Sequence, residues 1–283
     1  MAQPLGAPAR TGVPSTKPLI RQVDHILIET GDPGSLFTFF AETLQLPVAW
    51  PIAEYSGFAS GGVSAGNVNL EVFRPAGLQG PSTGRRPQAR ALGLALEPYH
   101  LADCLPELEA RGIARGPPQT HVSTLPDGSQ GTLWTNVALT RLSKPDLSVF
   151  LCEYSSAYLH AEIRRNQLAG QLALRSGGPL GIRSVREVVI GTRDLAGCRA
   201  DWQKLLAPAR PSSEGLLRAG RGPAIRLVSA ATDRLQRIVI EVDSLEAASK
   251  FLSDRHLLGA APAKGIAIDP AKIQRLSIHL VEK

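Results

Sequence analysis

A strand-like decapeptide, Val23–Asp32 (VDHILIETGD), returns in altered form at Val185–Asp194 (VREVVIGTRD), with four of ten positions identical. A second repeat aligns Gly93–Ile113 without a gap against Arg237–Leu257, with identities at Glu97/Glu241, Leu101/Leu245, Leu108/Leu252 and Arg111/Arg255. A chain that repeats itself twice in this way is confined to folds built from repeated supersecondary units. The repeat keeps the apolar pattern and changes the chemistry. Where the first copy carries His25, the second carries Glu187.

Periodicity supplies the unit. Val23–Glu29 alternates as a strand, which puts Val23, His25 and Leu27 on one face and Asp24, Ile26 and Ile28 on the other. Asp32 is an N-cap with Pro33 behind it, and Leu36, Phe39, Phe40 and Leu44 recur at helical spacing. From Trp50 to Pro75 the text is strand-like, divided by turns at Gly61-Gly62 and Ala65-Gly66-Asn67. The order is β-α-β-β-β. A Pro-, Gly- and Arg-rich loop at Gly80–Gln88 comes next. The order then restarts at Ala91–Glu97, with a helix over His100–Arg111 and strands over Gly131–Leu142 and Ser148–Tyr154. Ser156–Arg175 reads as a connecting helix that Gly177-Gly178-Pro179 ends. A third unit opens at Val185, with a helix over Leu195–Leu206 and a strand near Ala224–Ser229. A fourth opens at Arg237–Val242 and ends with a strand at Leu276–Glu282. The expected fold class is α+β: four βαβββ modules in two pairs, each pair an open curved mixed sheet around a cavity with helices outside. The corresponding division is a disordered lead-in over 1–19, a first domain over 20–155, a linker helix and turn over 156–182, and a degenerate second domain over 183–283.

Composition excludes several classes. No apolar run approaches the ~18 residues a membrane span needs, and the N-terminal residues lack the apolar stretch of a signal peptide. Three widely spaced cysteines, Cys104, Cys152 and Cys198, argue against a disulfide framework and for a reducing compartment, so a cytoplasmic location is expected. The formal charge of +6 is scattered with few interleaved aromatics, which argues against a nucleic-acid partner. No dinucleotide fingerprint, phosphate loop, HExxH or CxxC occurs.

The candidate site rests on strand faces. In Asn67–Phe73, Val68, Leu70 and Val72 form the core face, which leaves Asn67, Asn69, Glu71 and Phe73 together on the opposite one. His25 likewise points away from Ile26 and Ile28. A histidine and a carboxylate on cavity faces suit Zn²⁺, Mn²⁺, Fe²⁺ or Ni²⁺, with water in the remaining positions. Trp50, Trp134, Tyr55 and Phe73 are candidates for apolar lining, and His121 for a loop overhanging the cavity.

With DHILIET opening a unit and GNVNLEVFRP closing it, the chain resembles the vicinal oxygen chelate superfamily of glyoxalases, bleomycin-resistance proteins and extradiol dioxygenases, and among them the glyoxalase-like members. The resemblance implies a divalent metal held by the first and last strands of each unit. Carried over, those positions are His25, Glu71, Gly93 (histidine in many members) and Glu153, which gives His25, Glu71 and Glu153 as metal ligands. Glu71, Glu153 and Glu97 are the candidate catalytic carboxylates, Glu97 because it shares a face with Gly93. In the second pair the positions fall on Glu187, Val228, Arg237 and His279. An ion pair between Glu187 and Arg237 is expected to fill that lost site, which also fails the two-histidine, one-carboxylate pattern of ring-cleaving dioxygenases. The implied function is a divalent-metal-dependent lyase or isomerase acting on a small oxygenated substrate. The alternative is a metal-free binding or resistance protein that sequesters a small hydrophobic compound, with a ring-cleaving dioxygenase behind both. The expected partner is a small-molecule substrate, with no nucleic acid and no membrane, the chain being a monomer or homodimer.

Overall fold

The computed structural model describes residues 17–55, 57–77, 88–125, 127–260 and 262–283. The lead-in up to residue 16 and the loop over 80–87 lie outside these. Leu19, placed with the lead-in on sequence grounds, is buried in the core.

The first half is one eight-stranded sheet made of two βαβββ units. The first unit is β1 (Ile20–Thr30), α1 (Pro33–Thr38, prolonged by a π-helical turn over Phe39–Thr43), β2 (Val48–Tyr55), β3 (Phe58–Ser64) and β4 (Asn69–Pro75). The second is β5 (Ala89–Pro98), α2 (Leu101–Ala110), β6 (Gln119–Thr124), β7 (Gln130–Ala138) and β8 (Ser148–Tyr154). The order across the sheet is β2-β3-β4-β1-β5-β8-β7-β6. The two opening strands therefore meet antiparallel at the centre, each flanked by its own closing strand in parallel. Asp32 caps α1 by accepting from the Ser35 amide, as its sequence position predicts. Leu36 and Phe40 bury that helix against Ile26, Ile28, Leu70 and Val72. The apolar face of each strand is thus spent on the helices, and the concave face is left free for chemistry.

The connecting helix α3 (Ala161–Leu174) is shorter than the spacing predicts. Left-handed Gly177 and Gly178 turn the chain after it, a conformation only glycine adopts cheaply. The second half is β9 (Ile182–Thr192), α4 (Leu195–Leu206), β10 (Ala224–Ser229), β11 (Arg234–Val242), α5 (Leu245–Asp254), β12 (Ile266–Ala267) and β13 (Ile278–Glu282). Its sheet has five strands, in the order β10-β9-β11-β13-β12, where two complete units would supply eight. The opening strand, helix and closing strand of each unit remain, and the intervening hairpins are reduced to β12 and an isolated bridge at Leu217–Ile225. Among the described residues no helix is long and apolar enough to cross a membrane.

Candidate functional site

His25 and Asp24 sit at a β-bulge. In the β1–β5 ladder Val23 pairs with Leu96 and His25 with Ala95, so β1 carries one residue more than its partner at Asp24. A bulge breaks the alternation of faces. Val23 therefore joins the core with Ile26 and Ile28, while the consecutive residues Asp24 and His25 both reach the concave cavity. Strict alternation assigns Asp24 to the core face; the bulge corrects that.

The cavity encloses about 430 Å³, within the usual range for small-molecule sites. Eight of the chain's fourteen aromatic side chains line it, which makes it the one place where a sparse aromatic inventory is concentrated. Tyr55 stacks on Phe58 at 4.8 Å, and His121 on Trp134 at 4.4 Å. His121 belongs to the edge strand β6 rather than to a loop. It meets Tyr55 and Phe58 at 6.3 Å, so aromatic rings from β2–β3 and β6–β7, at opposite edges of the sheet, meet across the mouth. Trp50, Phe73, Phe150, Tyr154 and Tyr158 complete the aromatic wall.

The floor is ionic. His25 Nδ1 lies 2.8 Å from Asp24 Oδ2, and Nε2 lies 3.1 Å from Glu71 Oε2. Glu71 also accepts from the Ser60 hydroxyl at 2.6 Å, and Ser60 accepts from Trp50 Nε1 at 3.1 Å. Asp24 takes the Tyr154 hydroxyl at 3.0 Å and Arg165 Nη1 at 3.0 Å. Burial alone would strip the proton from His25, but the hydrogen bonds its ring donates to Asp24 and Glu71, and the charges of those carboxylates, outweigh it and raise the imidazolium to about 10. Burial also pushes Asp24 upward; its contacts with His25, Arg165 and Tyr154 win and hold it below the ordinary carboxylate value.

These shifts set a pH window. A group whose pKa is higher in the folded protein stabilises it fully below its unfolded value and ceases to do so as pH rises through the folded one. For His25 that decline runs from about 6.5 to about 10, with an amplitude on the order of 3–5 kcal/mol. Asp24 acts at the other end: its contribution is present above the ordinary carboxylate range and is lost as the medium becomes acid. Urea midpoints at pH 6.5, 8.5 and 10.5 are expected to fall in that order, and His25→Gln to flatten the slope. A wild-type slope matching that of the variant would refute the assignment.

The other expected site residues are placed differently. Glu153 does not reach the cavity. It accepts from the Leu101 backbone amide at 2.8 Å, at the start of α2 on the outer side of the sheet. On β8 it is Phe150, Cys152 and Tyr154 that face inward, so Glu153, an odd number of residues from each, lies on the opposite face. Glu97 is engaged with Arg165 at 2.6 Å and Arg21 at 3.4 Å. Burial pushes its carboxyl up while Arg165 and Arg21 pull against that. A Cβ built on Gly93 would overlap the carbonyl oxygen of Ser148 on β8. The backbone has closed over that position, so no side chain fits it.

The donor set does not make a divalent-metal site. Glu71 lies opposite Leu27, two residues on from His25. The same step from Gly93 leads to Ala95 and across to Phe150. Two of the four positions thus offer no donor, and both ring nitrogens of His25 are occupied. Among the described residues no group of three or more His, Cys, Asp or Glu side chains is arranged to hold a metal ion.

In the second half, Glu187 accepts from Nε and Nη2 of Arg226 on β10, at 2.9 and 2.8 Å. The partner is therefore not Arg237, which turns toward His279 on β13 at 3.5 Å.

No family model matches the chain, and no curated protein matches it. Solved structures do. The homoprotocatechuate 2,3-dioxygenase of Arthrobacter globiformis aligns with a TM-score of 0.57 at 13% identity, covering 96% of this chain and 84% of that one. An extradiol ring-cleaving dioxygenase from Brevibacterium fuscum aligns at 0.59 and 14%, covering 93% and 72%. A variant homoprotocatechuate 2,3-dioxygenase from the same organism, in complex with HPCA, aligns at 0.58 and 13%, covering 93% and 71%. At this identity the likeness is one of fold, and the chain has the vicinal oxygen chelate fold through both halves.

Proposed function

We propose that the first-half cavity binds a small, largely apolar aromatic molecule without a metal ion, which makes the chain a binding or sequestering protein of this fold. The observation that carries the reading is His25: it is clamped between two carboxylates, with no nitrogen free for a metal, at the floor of a cavity walled by aromatic rings. A proton on His25 supplies the positive charge that a metal ion would otherwise bring between the same strands. Stacked and edge-on rings favour a flat apolar guest beyond what area burial alone gives, and the polar floor offers hydrogen bonds that orient it. The solved complex with HPCA on a similar scaffold supports a small-molecule ligand in general, though not that compound.

Calorimetric titration with 2-naphthol, compared with cyclohexanol, tests the reading. Saturable binding of the naphthol, with cyclohexanol much weaker, is expected. Trp134→Ala should weaken it about tenfold, since an aromatic pair contributes about 0.5–1.5 kcal/mol beyond its buried area. The metal-dependent lyase or isomerase is the competing outcome. Stoichiometric metal in protein purified without a histidine tag, lost in His25→Ala, together with no naphthol binding, would replace this reading with that one.

A further inference from the structure

The linker helix α3 roofs the cavity: Ala161, Arg164 and Arg165 on one face of its first turns line it, while Leu168 and Leu172 are buried. Arg164 donates to the carbonyls of Val48 and Ala49 at 3.2 and 3.0 Å, which fastens the helix to the edge strand β2. Arg165 goes deeper. Its side chain is only 10% exposed, and its guanidinium bridges Asp24 Oδ1 at 3.0 Å and Glu97 Oε2 at 2.6 Å. The Gln22 amide, with its oxygen turned toward the guanidinium, accepts from it as well. Gln22 and Asp24 are on β1 and Glu97 is on β5, so one planar fork spans the central seam of the sheet. That geometry suits arginine and not a point charge.

We propose that Arg165 is a positioning residue: by holding Asp24 across the central seam it fixes the His25 ring against Glu71, so the segment that joins the two halves sets the geometry of the cavity floor. The proposal rests on the reading of this cavity as the binding site. The hydrogen bonds on Asp24 divide cleanly. Oδ2 receives His25 Nδ1 and the Tyr154 hydroxyl, and Oδ1 receives Arg165. Without Arg165, Oδ1 loses its donor and the carboxylate is free to rotate about its terminal torsion, which is soft. His25 would then keep Glu71 as its one firm anchor. Asp24, buried, and Glu97, half-buried, would also lose the cation between them. Three carboxylates (Asp24, Glu71, Glu97) face three cations (His25, Arg165, Arg21) in this cluster, and removing Arg165 is the change that unbalances it at Asp24.

The test reads His25 directly. A buried imidazole N–H bonded to a carboxylate gives a downfield proton resonance, identified by its disappearance in His25→Gln. Arg165→Met is expected to lose or broaden that resonance and to weaken 2-naphthol binding at least tenfold. Leu168→Ala removes packing from the same helix without touching Asp24; it is expected to lower stability while leaving the resonance in place. Should Arg165→Met not fold, Arg165→Lys serves, since the shorter lysine lacks the planar fork that spans the two carboxylates: the His25 proton is expected to exchange with water at least tenfold faster than in the wild type. A wild-type resonance in folded Arg165→Met, or exchange within twofold of wild type in Arg165→Lys, would overturn the proposal. So would loss of the resonance in Leu168→Ala, because the effect would then belong to helix packing. Failure of wild-type protein to bind 2-naphthol while the Arg165 variants still lose the resonance would overturn the binding reading and leave the positioning role standing.

Discussion

Replacing His25 by leucine is expected to lower the unfolding free energy by about 3–5 kcal/mol at neutral pH, the cost of breaking a buried charge pair by removing one partner. The size comes from what is left behind, not from the methylenes gained. Asp24 and Glu71, with side chains 2% and 14% exposed, lie on either side of the ring. Without it, two carboxylates face each other in a low-dielectric interior with one guanidinium to compensate them. The wild type regains the whole of His25's proton-linked stability as the pH falls toward 6.5, so the deficit should be larger at pH 6.5 than at pH 8.5. Adding Asp24→Asn and Glu71→Gln to the leucine variant should recover much of the loss, because it removes the uncompensated charge. Urea unfolding of the wild type, the single variant and the triple variant measures this. A loss below 1 kcal/mol for the single variant, or no recovery in the triple, would show that the cluster is not a buried, charged one.

Gly93→His would install the histidine that the resemblance to the vicinal oxygen chelate superfamily leads one to expect at this position, and it is expected to damage the protein, not endow it with a metal. A Cβ at this position overlaps the Ser148 carbonyl, a backbone atom that cannot step aside as a flexible side chain would. β5 and β8 are neighbours in the sheet and pair in register at this very rung. Accommodating even an alanine means prising two central strands apart. For histidine a destabilisation of about 4 kcal/mol or more is expected, at the upper end of overpacking and backbone effects. In a chain of this size that is a fall in Tm of roughly 10 °C or more. Calorimetric melting with and without Zn²⁺ decides the matter. A variant that melts near the wild-type temperature and is stabilised by zinc would show that the strands can open and that the site was lost by mutation alone.

The repeat made the scaffold legible. Four opening strands, their helices and the pairing of units can be traced from residue patterns because burial of one face imposes a period that survives sequence drift. Two features hid the site, and both are matters of phase. The bulge at Asp24 puts two consecutive side chains on one face, so alternation counted from Ile26 misplaces Asp24. On β8 the closing-strand position falls on Phe150, an odd number of residues from Glu153, so Glu153 lies on the opposite face. Arg165 was out of reach for another reason: it comes from a helix between the repeats, and no periodicity within a unit points to it. The truncation of the second sheet left little trace either, since the deleted hairpins lie where the sequence carries no strong pattern. The bulge itself did leave a trace. Val239 pairs with Glu187 and Ile240 with Val185, which repeats the extra residue at Arg186, so the second half keeps the kink while Asp24-His25 has become Arg186-Glu187, the same two adjacent charges with their signs exchanged.

The roof contributed by α3 bears on how such a chain is inherited and cut. A unit of descent is usually drawn at the ends of its repeats, which here would close the first half at Tyr154 and treat α3 as mere tether. Yet the tether carries the cation that answers Asp24 and the donors that occupy the carbonyls at the β2 edge. A gene fragment ending at the repeat boundary would encode a cup without its rim, with a charge imbalance in its base and an open strand edge ready to pair with another chain. Recombination that moves this module intact must take α3 with it, so the heritable piece is longer than the repeated one.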